Sequence, residues 1–326
     1  MRSTLRQQPI ASHVYDTYWQ FATKRQEIFH RRVRGETAPW TDDPVLSNHR
    51  FTNTYRAADR VSQYLIRHVA YSGNQAPEEI VFRVLLFKLF NRISTWELLS
   101  KSVGPLTTFE FDVKRYDRVL SRALDRGERV YSAAYIMPAA SPNAIRKHQT
   151  HLELLRIILD KCFLKRLLDA QSMKEAFLLL QSIRGIGTFL AYQLVTDLNY
   201  TSIFNFSEME FVMAGPGSRS GIKKCFTDSG SYSDEDIIRY VVDRQAEEFS
   251  ARNLAFQDLW GRPLQLIDCQ NLFCEVDKYA RLAHPEVKGI GERTRIKQKF
   301  SPMPNQLEVW FPPKWGINSK LPKPKG

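Results

Sequence analysis

The chain has 326 residues, 43% of them hydrophobic, and is therefore long enough to bury a full core as one large or two modest domains. Its 47 Lys and Arg residues against 35 Asp and Glu residues give a net charge of +12, which favours a polyanionic partner without distinguishing DNA from RNA or an anionic membrane. No apolar run is as long as a membrane span, and the first residues lack the apolar core of a secretion signal, so an intracellular protein without a membrane partner is expected. Sparse Gly and Pro and the helical spacing of apolar residues predict a mostly α-helical fold.

The N-terminal residues are basic and partly helical, and a cationic run, His30 to Arg34, closes them. That run is either a solvated face or an arm that contacts phosphates. We predict a basic extension over residues 1–34, a helical domain over 35–290 and a basic, proline-rich tail over 291–326. The tail is expected to be disordered or to fold on nucleic acid.

A turn rich in Pro and Asp leads into a predicted long helix over residues 45–71. Helical spacing would place Asn53, Arg56 and Arg60 on one face, where they could bind phosphate. The alternative is a surface pair between Arg56 and Asp59, which contributes little.

The next segment, residues 78–100, is apolar nearly all round and predicts a buried helix that Asn91 and Arg92 interrupt. A buried polar pair needs a partner, either internal or a ligand. A short helix over 112–125 follows. After it come an apolar connection over 130–138, which could line a cleft, and a helical stretch over 143–170.

Residues 172–198 predict two helices joined by Gly185-Ile186-Gly187, with Ser172 as the cap of the first helix. Two interpretations remain open: a helix-hairpin-helix that grips one DNA strand, and an ordinary pair of antiparallel helices. A bifunctional glycosylase would need a lysine just after the second glycine. Thr188 stands there, which excludes Schiff-base chemistry at that position.

A glycine-rich turn from Gly215 to Gly221 follows, with Arg219 and Lys223 beside it. Its backbone amides and cations suit a phosphate or pyrophosphate; a turn with unusual backbone angles is the structural alternative. The spacing is not that of a Walker A loop, so the sequence shows no ATP-binding signature and argues against kinase activity by this chain alone.

The last strong helices are predicted over residues 233–249 and 264–281. In the second, polar residues recur at helical steps among apolar neighbours: Asp268, Asn271, Glu275, Lys278 and Tyr279. Charged groups in that setting are costly unless they are paired or held for a ligand, so this stripe is the candidate active site. An internal network of Glu275 with Lys278, which fixes helix docking, is the alternative.

Cofactor and metal sites are not expected. The four cysteines are too scattered for a disulfide framework or an iron–sulfur cluster and predict reduced, largely buried thiols. His148 and His151 have a possible metal-ligand spacing, but no carboxylate or cysteine completes a site beside them, so a plain surface pair is expected.

Several of these motifs together resemble a known family: Phe51-Thr-Asn-Thr-Tyr-Arg-Ala-Ala-Asp-Arg60, Phe90-Asn-Arg92 with Trp96, Gly185-Ile-Gly-Thr-Phe-Leu-Ala-Tyr-Gln193, Gly215-Pro-Gly217 with Gly221, Asp268-Cys-Gln-Asn271, and Phe273-Cys-Glu-Val-Asp-Lys-Tyr-Ala-Arg281. Over residues 35–285 the chain resembles the helical domain associated with phage 5-hydroxymethyl-deoxyuridine DNA kinases and with α-glutamyl/putrescinyl-thymine pyrophosphorylases. The family is similar to helix-hairpin-helix DNA glycosylases, which implies a two-lobed helical bundle.

The resemblance implies thymine hypermodification, in which an amine or amino acid displaces pyrophosphate from a modified, flipped base in double-stranded DNA. A separate P-loop DNA kinase is the implied partner. The site residues fall into four groups: catalytic Asp268, Asn271, Glu275, Lys278 and Tyr279; DNA-binding Arg184, Gly185, Gly187, Asn53, Arg56 and Arg60; pocket Asn91, Arg92 and Trp96; and phosphate-binding Gly215, Gly217, Arg219 and Lys223.

Two other functions stay open from the sequence. One is a glycosylase that excises a modified base with Glu208 or Glu210, and the other is a non-catalytic module that binds modified DNA.

Overall fold

The computed structural model describes residues 7–132, 146–291, 293–301 and 307–322. The prediction of a mostly α-helical fold is confirmed. The helices and strands follow the chain in this order: β1 Ile10–Ala11, α1 His13–Val33, α2 Pro44–Asn48, α3 Arg60–Tyr64, α4 Pro77–Phe90, α5 Ile93–Val103, α6 Val113–Asp125, α7 Lys147–Ile158, α8 Lys161–Leu168, α9 Met173–Gln181, α10 Thr188–Asn199, α11 Pro216–Cys225, β2 Phe226–Asp228, α12 Asp234–Asp243, α13 Gln245–Ala251 and α14 Leu266–Ala283.

The chain forms two compact units. Unit 1 combines Met1–Asp59 with Phe211–Gly326, and unit 2 is Arg60–Glu210. Helix α1 lies wholly within the residues predicted as an N-terminal extension, yet it belongs to unit 1. None of the helices in the described part of the chain combines the length and the apolar character that crossing a membrane would require.

Unit 1 is organised around α14, which packs against α1, α11 and α12. Aromatic side chains fill the contact between α1 and α14: the rings of Tyr18 and Phe273 lie 4.6 Å apart, and both residues are fully buried. Strands β1 and β2 pair antiparallel next to the start of α1, which Ser12 caps by accepting a hydrogen bond from the Val14 N–H. Burial of large aromatic rings is the main stabilising term here.

Unit 2 is built around α4, which is buried along most of its length, as a stretch that is apolar nearly all round predicts. Asn91 ends the helix in the left-handed conformation, with φ of 49°, which confirms the predicted interruption. Lys88 of α4 pairs with Asp197 of α10 at 2.8 Å, and both side chains are at least 95% buried. The pair joins two core helices.

The predicted long helix over residues 45–71 is wrong. Helix α2 ends at Asn48, the chain then runs without regular structure to a 3₁₀ turn at Arg56–Ala58, and only α3 and a π-helical stretch, Leu65–Ala70, follow. Asn53, Arg56 and Arg60 therefore do not share a helical face. The physical reason lies in α14, whose side chains bind the backbone of this segment.

Other boundaries are met in part. Helices α9 and α10 and their glycine connection match the prediction, and Ser172 caps α9 by accepting from the Glu175 N–H. The predicted helix over 233–249 is two helices, α12 and α13. The helical stretch from 143 is likewise two helices, α7 and α8, because the Asp160 side chain caps the second; residues 143–145 lie outside the described residues.

The C-terminal tail packs on unit 1 over residues 307–322, so the expectation of disorder is wrong for that part. Phe311 is fully buried, Ile317 is 3% exposed, and the Phe311 ring lies 6.1 Å from that of Trp260. Apolar side chains in the tail thus dock it. The lysines at 323 and 325 and residues 133–138 of the predicted cleft connection lie outside the described residues.

Candidate functional site

The polar side chains predicted on the last helix do lie on α14. The first of them, Asp268, binds backbone N–H groups. Asp268 accepts hydrogen bonds from the Arg56 N–H at Oδ1 (2.8 Å) and from the Gln265 N–H at Oδ2 (3.0 Å). The second bond belongs to the capping box that starts α14. Each oxygen of this buried carboxylate is thus already engaged by a main-chain donor.

The next polar positions of α14 hold the residues just before Arg56. Asn271 Nδ2 donates to Thr52 Oγ1 (3.0 Å), and Glu275 Oε2 accepts from the Thr52 N–H (2.9 Å). In an α-helix the N–H groups of Thr52 and Arg56 would donate to carbonyls of the preceding turn, but here they donate to side chains of α14. This explains why segment 51–59 (Phe51 to Asp59) is not α-helical.

Glu275 also forms an ion pair with Lys278. Lys278 Nζ lies 2.7 Å from Oε2, and it stands 4.5 Å from the centre of the Phe51 ring. This is the internal network that the sequence offers as an alternative to catalysis. Oε1 of Glu275 accepts no hydrogen bond from any described residue, so it is the carboxylate oxygen of this helix face that can still take a proton from a ligand.

Tyr279 ends the predicted stripe and joins a second polar group. Its hydroxyl donates to Asp43 Oδ2 (2.7 Å), which also receives Lys24 Nζ (3.0 Å), while Asp43 Oδ1 caps α2. Burial acts to raise the pKa of Asp43, but hydrogen bonds from Tyr279, the Leu46 N–H and Lys24 hold it below its usual value. Burial, together with the anionic Asp43, raises the pKa of Tyr279. Asp43 is thus anionic at neutral pH and holds the Tyr279 hydroxyl by a hydrogen bond.

Segment 51–59 closes on itself. Asp59 Oδ1 accepts from the Asn53 N–H (2.7 Å), and Asn53 Nδ2 donates to the Ala58 carbonyl (2.7 Å). Burial raises the pKa of Asp59 to about 6, against the opposing effects of the Asn53 N–H and Arg25. Asn53 is 5% and Arg56 6% exposed, so neither stands on an open cationic face. Their role in DNA binding stays a prediction.

The predicted glycine turn is α-helical: α11 starts at Pro216, with Gly215 as its cap. Its glycines allow close packing on α14. A Cβ on Gly221 would lie 1.9 Å from the Phe273 carbonyl oxygen, and one on Gly217 would lie 2.3 Å from Cys274 Sγ. The structural alternative from the sequence, a turn with unusual backbone angles, is therefore wrong, and these glycines instead allow the two helices to pack closely.

The predicted phosphate-binding cations lie on the outer side of α11. Arg219 and Lys223 are exposed, and Arg219 faces Asp234 at 3.5 Å. The carboxylate of Glu235 accepts from the Ala214 N–H (2.9 Å), just before the helix start. Protein carboxylates thus already lie near the end of α11 where an anion would bind. Phosphate binding by Gly215, Gly217, Arg219 and Lys223 stays a prediction.

A buried charged cluster between α11 and α14 was missed from the sequence. Asp277 accepts from Ser220 Oγ (2.7 Å), lies 3.2 Å from Lys224 Nζ and receives Arg281 at 2.6 Å. The available signal was spacing, because Ser220 with Lys224 and Asp277 with Arg281 are each four residues apart on a helix. The partner helix could not be chosen without the fold.

The hairpin lies in unit 2. Gly185 has φ of 98°, a value that favours glycine, and Gly187 caps α10 without any side-chain hydrogen bond to its first turn. Arg184 and Gly187 are exposed. The arrangement has the amides and the cation that a phosphate contact requires; a DNA contact there stays a prediction.

The predicted pocket residues also lie in unit 2. Arg92 Nε donates to Ser94 Oγ (2.8 Å), and the rings of Trp96 and Phe87 lie 5.9 Å apart. Asn91 Oδ1 is buried and has no hydrogen-bond partner among the described residues. These three residues belong to unit 2, whereas the polar residues of α14 belong to unit 1. Their role in a pocket stays a prediction.

The histidine pair expected at the surface is buried. His148 Nε2 binds Asp117 (2.6 Å), and His151 Nδ1 binds the Tyr131 hydroxyl (2.7 Å). The two histidines thus bind different partners. A different group could hold a metal ion: ligand atoms of His13, His284 and Glu286 lie within 4.8 Å of one another.

The cysteines form no disulfide among the described residues. Cys225 and Cys269 are buried and Cys274 is half-buried, whereas Cys162 is exposed, against the expectation of buried thiols.

The chain is similar to known proteins over most of its length. Residues 12–289 match the family described as "5-hmdU DNA kinase, helical domain". The chain belongs to this family. A curated relative from Bacillus phage SP10, named "5-hmdU DNA kinase", is 29% identical over 288 residues. The match covers 82% of this chain and 45% of that relative, so the chain spans about half the length of the relative. No solved structure matches the chain significantly.

Proposed function

We propose that this chain acts in the modification of DNA that contains 5-hydroxymethyl-deoxyuridine, as the helical part that holds the modified base. The match of residues 12–289 to the family carries this proposal. The name of the phage relative and the net charge of +12 support a DNA substrate. A separate P-loop DNA kinase is the partner that would supply a phosphorylated base.

In the finer form of the proposal, the chain transfers an amine or amino acid to the base. The amine nitrogen attacks the methylene carbon, the carbon–oxygen bond breaks, and pyrophosphate leaves with that electron pair. Glu275 takes the amine proton at Oε1, while Thr52 and Lys278 hold Oε2 in place. Asp268 is the poorer base, because backbone donors engage both of its oxygens.

The remaining predicted residues fit supporting roles in this proposal. Arg184 and the first-turn amides of α10 would grip a DNA phosphate, and Arg219 and Lys223 would neutralise the leaving pyrophosphate. Base flipping would bring the target out of the duplex.

The test uses duplex DNA that carries pyrophosphorylated 5-hydroxymethyluracil, a radiolabelled amine and the full chain. We expect label in the DNA with the wild type, and a rate that falls by about a hundredfold or more in Glu275→Gln while DNA affinity stays within a factor of about two. Lys223→Gln should lower the rate at which pyrophosphate is released. Glu27→Gln, an exposed change on α1, is the matched control. Absence of transfer under conditions where the protein binds this DNA would exclude the enzymatic form.

A second function, a non-catalytic module that binds modified DNA, is favoured by one observation. Asp268, Asn271 and Glu275 each hydrogen-bond segment 51–59, which is what a structural network requires. Mass spectrometry of digested DNA separates the two functions. Binding that prefers the modified base, with no covalent product and no loss of binding in Glu275→Gln, selects the module.

A further inference from the structure

Unit 1 contains a cavity of about 290 Å³ that the candidate site does not use. The end of α1, the following loop and α2 form most of its wall. Six residues define its chemistry: Arg25, Arg32, Trp40, His49, Phe51 and Phe300. Phe51 lines the cavity, and its ring also contacts Lys278 of the network on α14.

The nitrogen-bearing residues of the lining are incompletely satisfied. Arg25 is 8% exposed and donates from Nε to the Thr52 carbonyl (3.0 Å), but its Nη1 has no acceptor among the described residues. Arg32 Nε and His49 Nδ1 are also buried and lack a partner in that part of the chain. A buried nitrogen without a partner costs about 1–3 kcal/mol. The two guanidinium nitrogens beside one cavity indicate that a ligand supplies acceptors, whereas the His49 ring already bonds the Gln298 backbone.

The charge of the lining selects an anion. Two guanidinium groups line the cavity, and no acidic residue does so among the described residues. Burial lowers the pKa of Arg25 to about 10, which still leaves the group charged at neutral pH. The acids that influence Arg25, Asp59 and Glu275, belong to segment 51–59 and α14 and not to the lining. Arginine binds carboxylates and phosphates through paired donors.

The rest of the lining favours a flat ring. Trp40 and Phe51 are buried, and the rings of Trp40 and Phe300 lie 6.4 Å apart. The Arg32 guanidinium lies 5.1 Å from the centre of the Trp40 ring. Backbone pairing holds Phe300 in place. Its N–H donates to the Asn48 carbonyl (3.1 Å), and the Arg50 N–H donates to the Gln298 carbonyl (3.1 Å). Aromatic walls bind planar groups by stacking and edge contacts.

We propose that this cavity binds a small ligand in which one phosphate or carboxylate is attached to a flat ring. Its volume is at the small end for ligand sites, which fits one ring and one anionic group. The inference does not depend on the proposed role in DNA modification. The same chemistry could be a free small molecule or the phosphorylated end of a nucleic acid strand.

The test is isothermal titration calorimetry of the full chain with phenyl phosphate, and with benzyl alcohol as the uncharged comparison. We expect saturable binding of phenyl phosphate, and weakening by about tenfold or more in Arg32→Gln. Arg34→Gln is the matched control, because Arg34 is exposed, pairs with Glu36 and does not line the cavity. Phe300→Ala removes a wall without removing a charge and should weaken binding as well.

Two further probes distinguish the sources of the ligand. Binding of deoxythymidine monophosphate without binding of a 5′-phosphorylated oligonucleotide supports a free molecule, and equal binding of both supports a strand end. The proposal is overturned if the wild type shows no saturation with phenyl phosphate up to about 10 mM. It is also overturned if the folded Arg32→Gln and Arg34→Gln variants bind phenyl phosphate equally well.

Discussion

Replacement of Gly221 by Ala tests whether the glycines of α11 serve helix packing. In an open helix the change would stabilise by about 1 kcal/mol, because Ala has the higher helix propensity. Here the new Cβ would lie 1.9 Å from the Phe273 carbonyl oxygen, whereas ordinary contact begins near 3.4 Å. Helix α11 would have to move by about 1.5 Å from α14, and overpacking of this kind costs about 3 kcal/mol. The expected net loss is about 2 kcal/mol.

The assay is urea unfolding followed by circular dichroism, with hydrogen exchange of α14 peptides to place the loss in unit 1. Gly217→Ala is the internal comparison. Its Cβ would meet the Cys274 sulfur, which belongs to a side chain and can move, so a smaller loss is expected. A Gly221→Ala variant as stable as the wild type would refute the packing argument. A phosphate cradle predicts the opposite pattern, in which anion binding is lost and stability is kept.

Three further changes test single contacts. Asp268→Asn replaces an oxygen that accepts a backbone N–H with an amide group that cannot, and should cost about 1–3 kcal/mol in urea unfolding. In the wild type, the folded-state pKa of Asp59, about 6, exceeds the unfolded value, so the folded protein binds an extra proton and its unfolding free energy falls as pH rises from about 4 to about 6. Asp59→Asn should remove this fall. Lys88→Met should lower stability by about 3 kcal/mol, because the buried Asp197 loses its cation at 2.8 Å.

Each of these changes has its own control. Glu27→Gln, at an exposed position of α1, should leave urea unfolding unchanged where Asp268→Asn lowers it. For Asp59, equal pH dependence of wild type and variant would contradict the raised pKa. For Lys88, adding Asp197→Leu should restore much of the loss, and a double variant no better than Lys88→Met would contradict the ion-pair argument.

The sequence by itself determined the elements whose signals are local. Helix α4 follows from a stretch that is apolar nearly all round, its end at Asn91 from a polar interruption, and α9 from the Ser172 cap. The polar stripe of α14 is likewise set by helical spacing. Such signals involve residues within a turn or two of one another, because helical side-chain neighbours and backbone hydrogen bonds both join residues three or four positions apart.

Only the tertiary structure decided what binds the stripe. Thr52 and Arg56 lie more than two hundred residues before α14. Their N–H groups donate to Glu275 and Asp268 and not to carbonyls of a local helix. The glycines of α11 were equally ambiguous: the approach of the Phe273 carbonyl gives them a packing reason. Local propensity is worth tenths of a kcal/mol per residue, and buried partners from distant segments outweigh it.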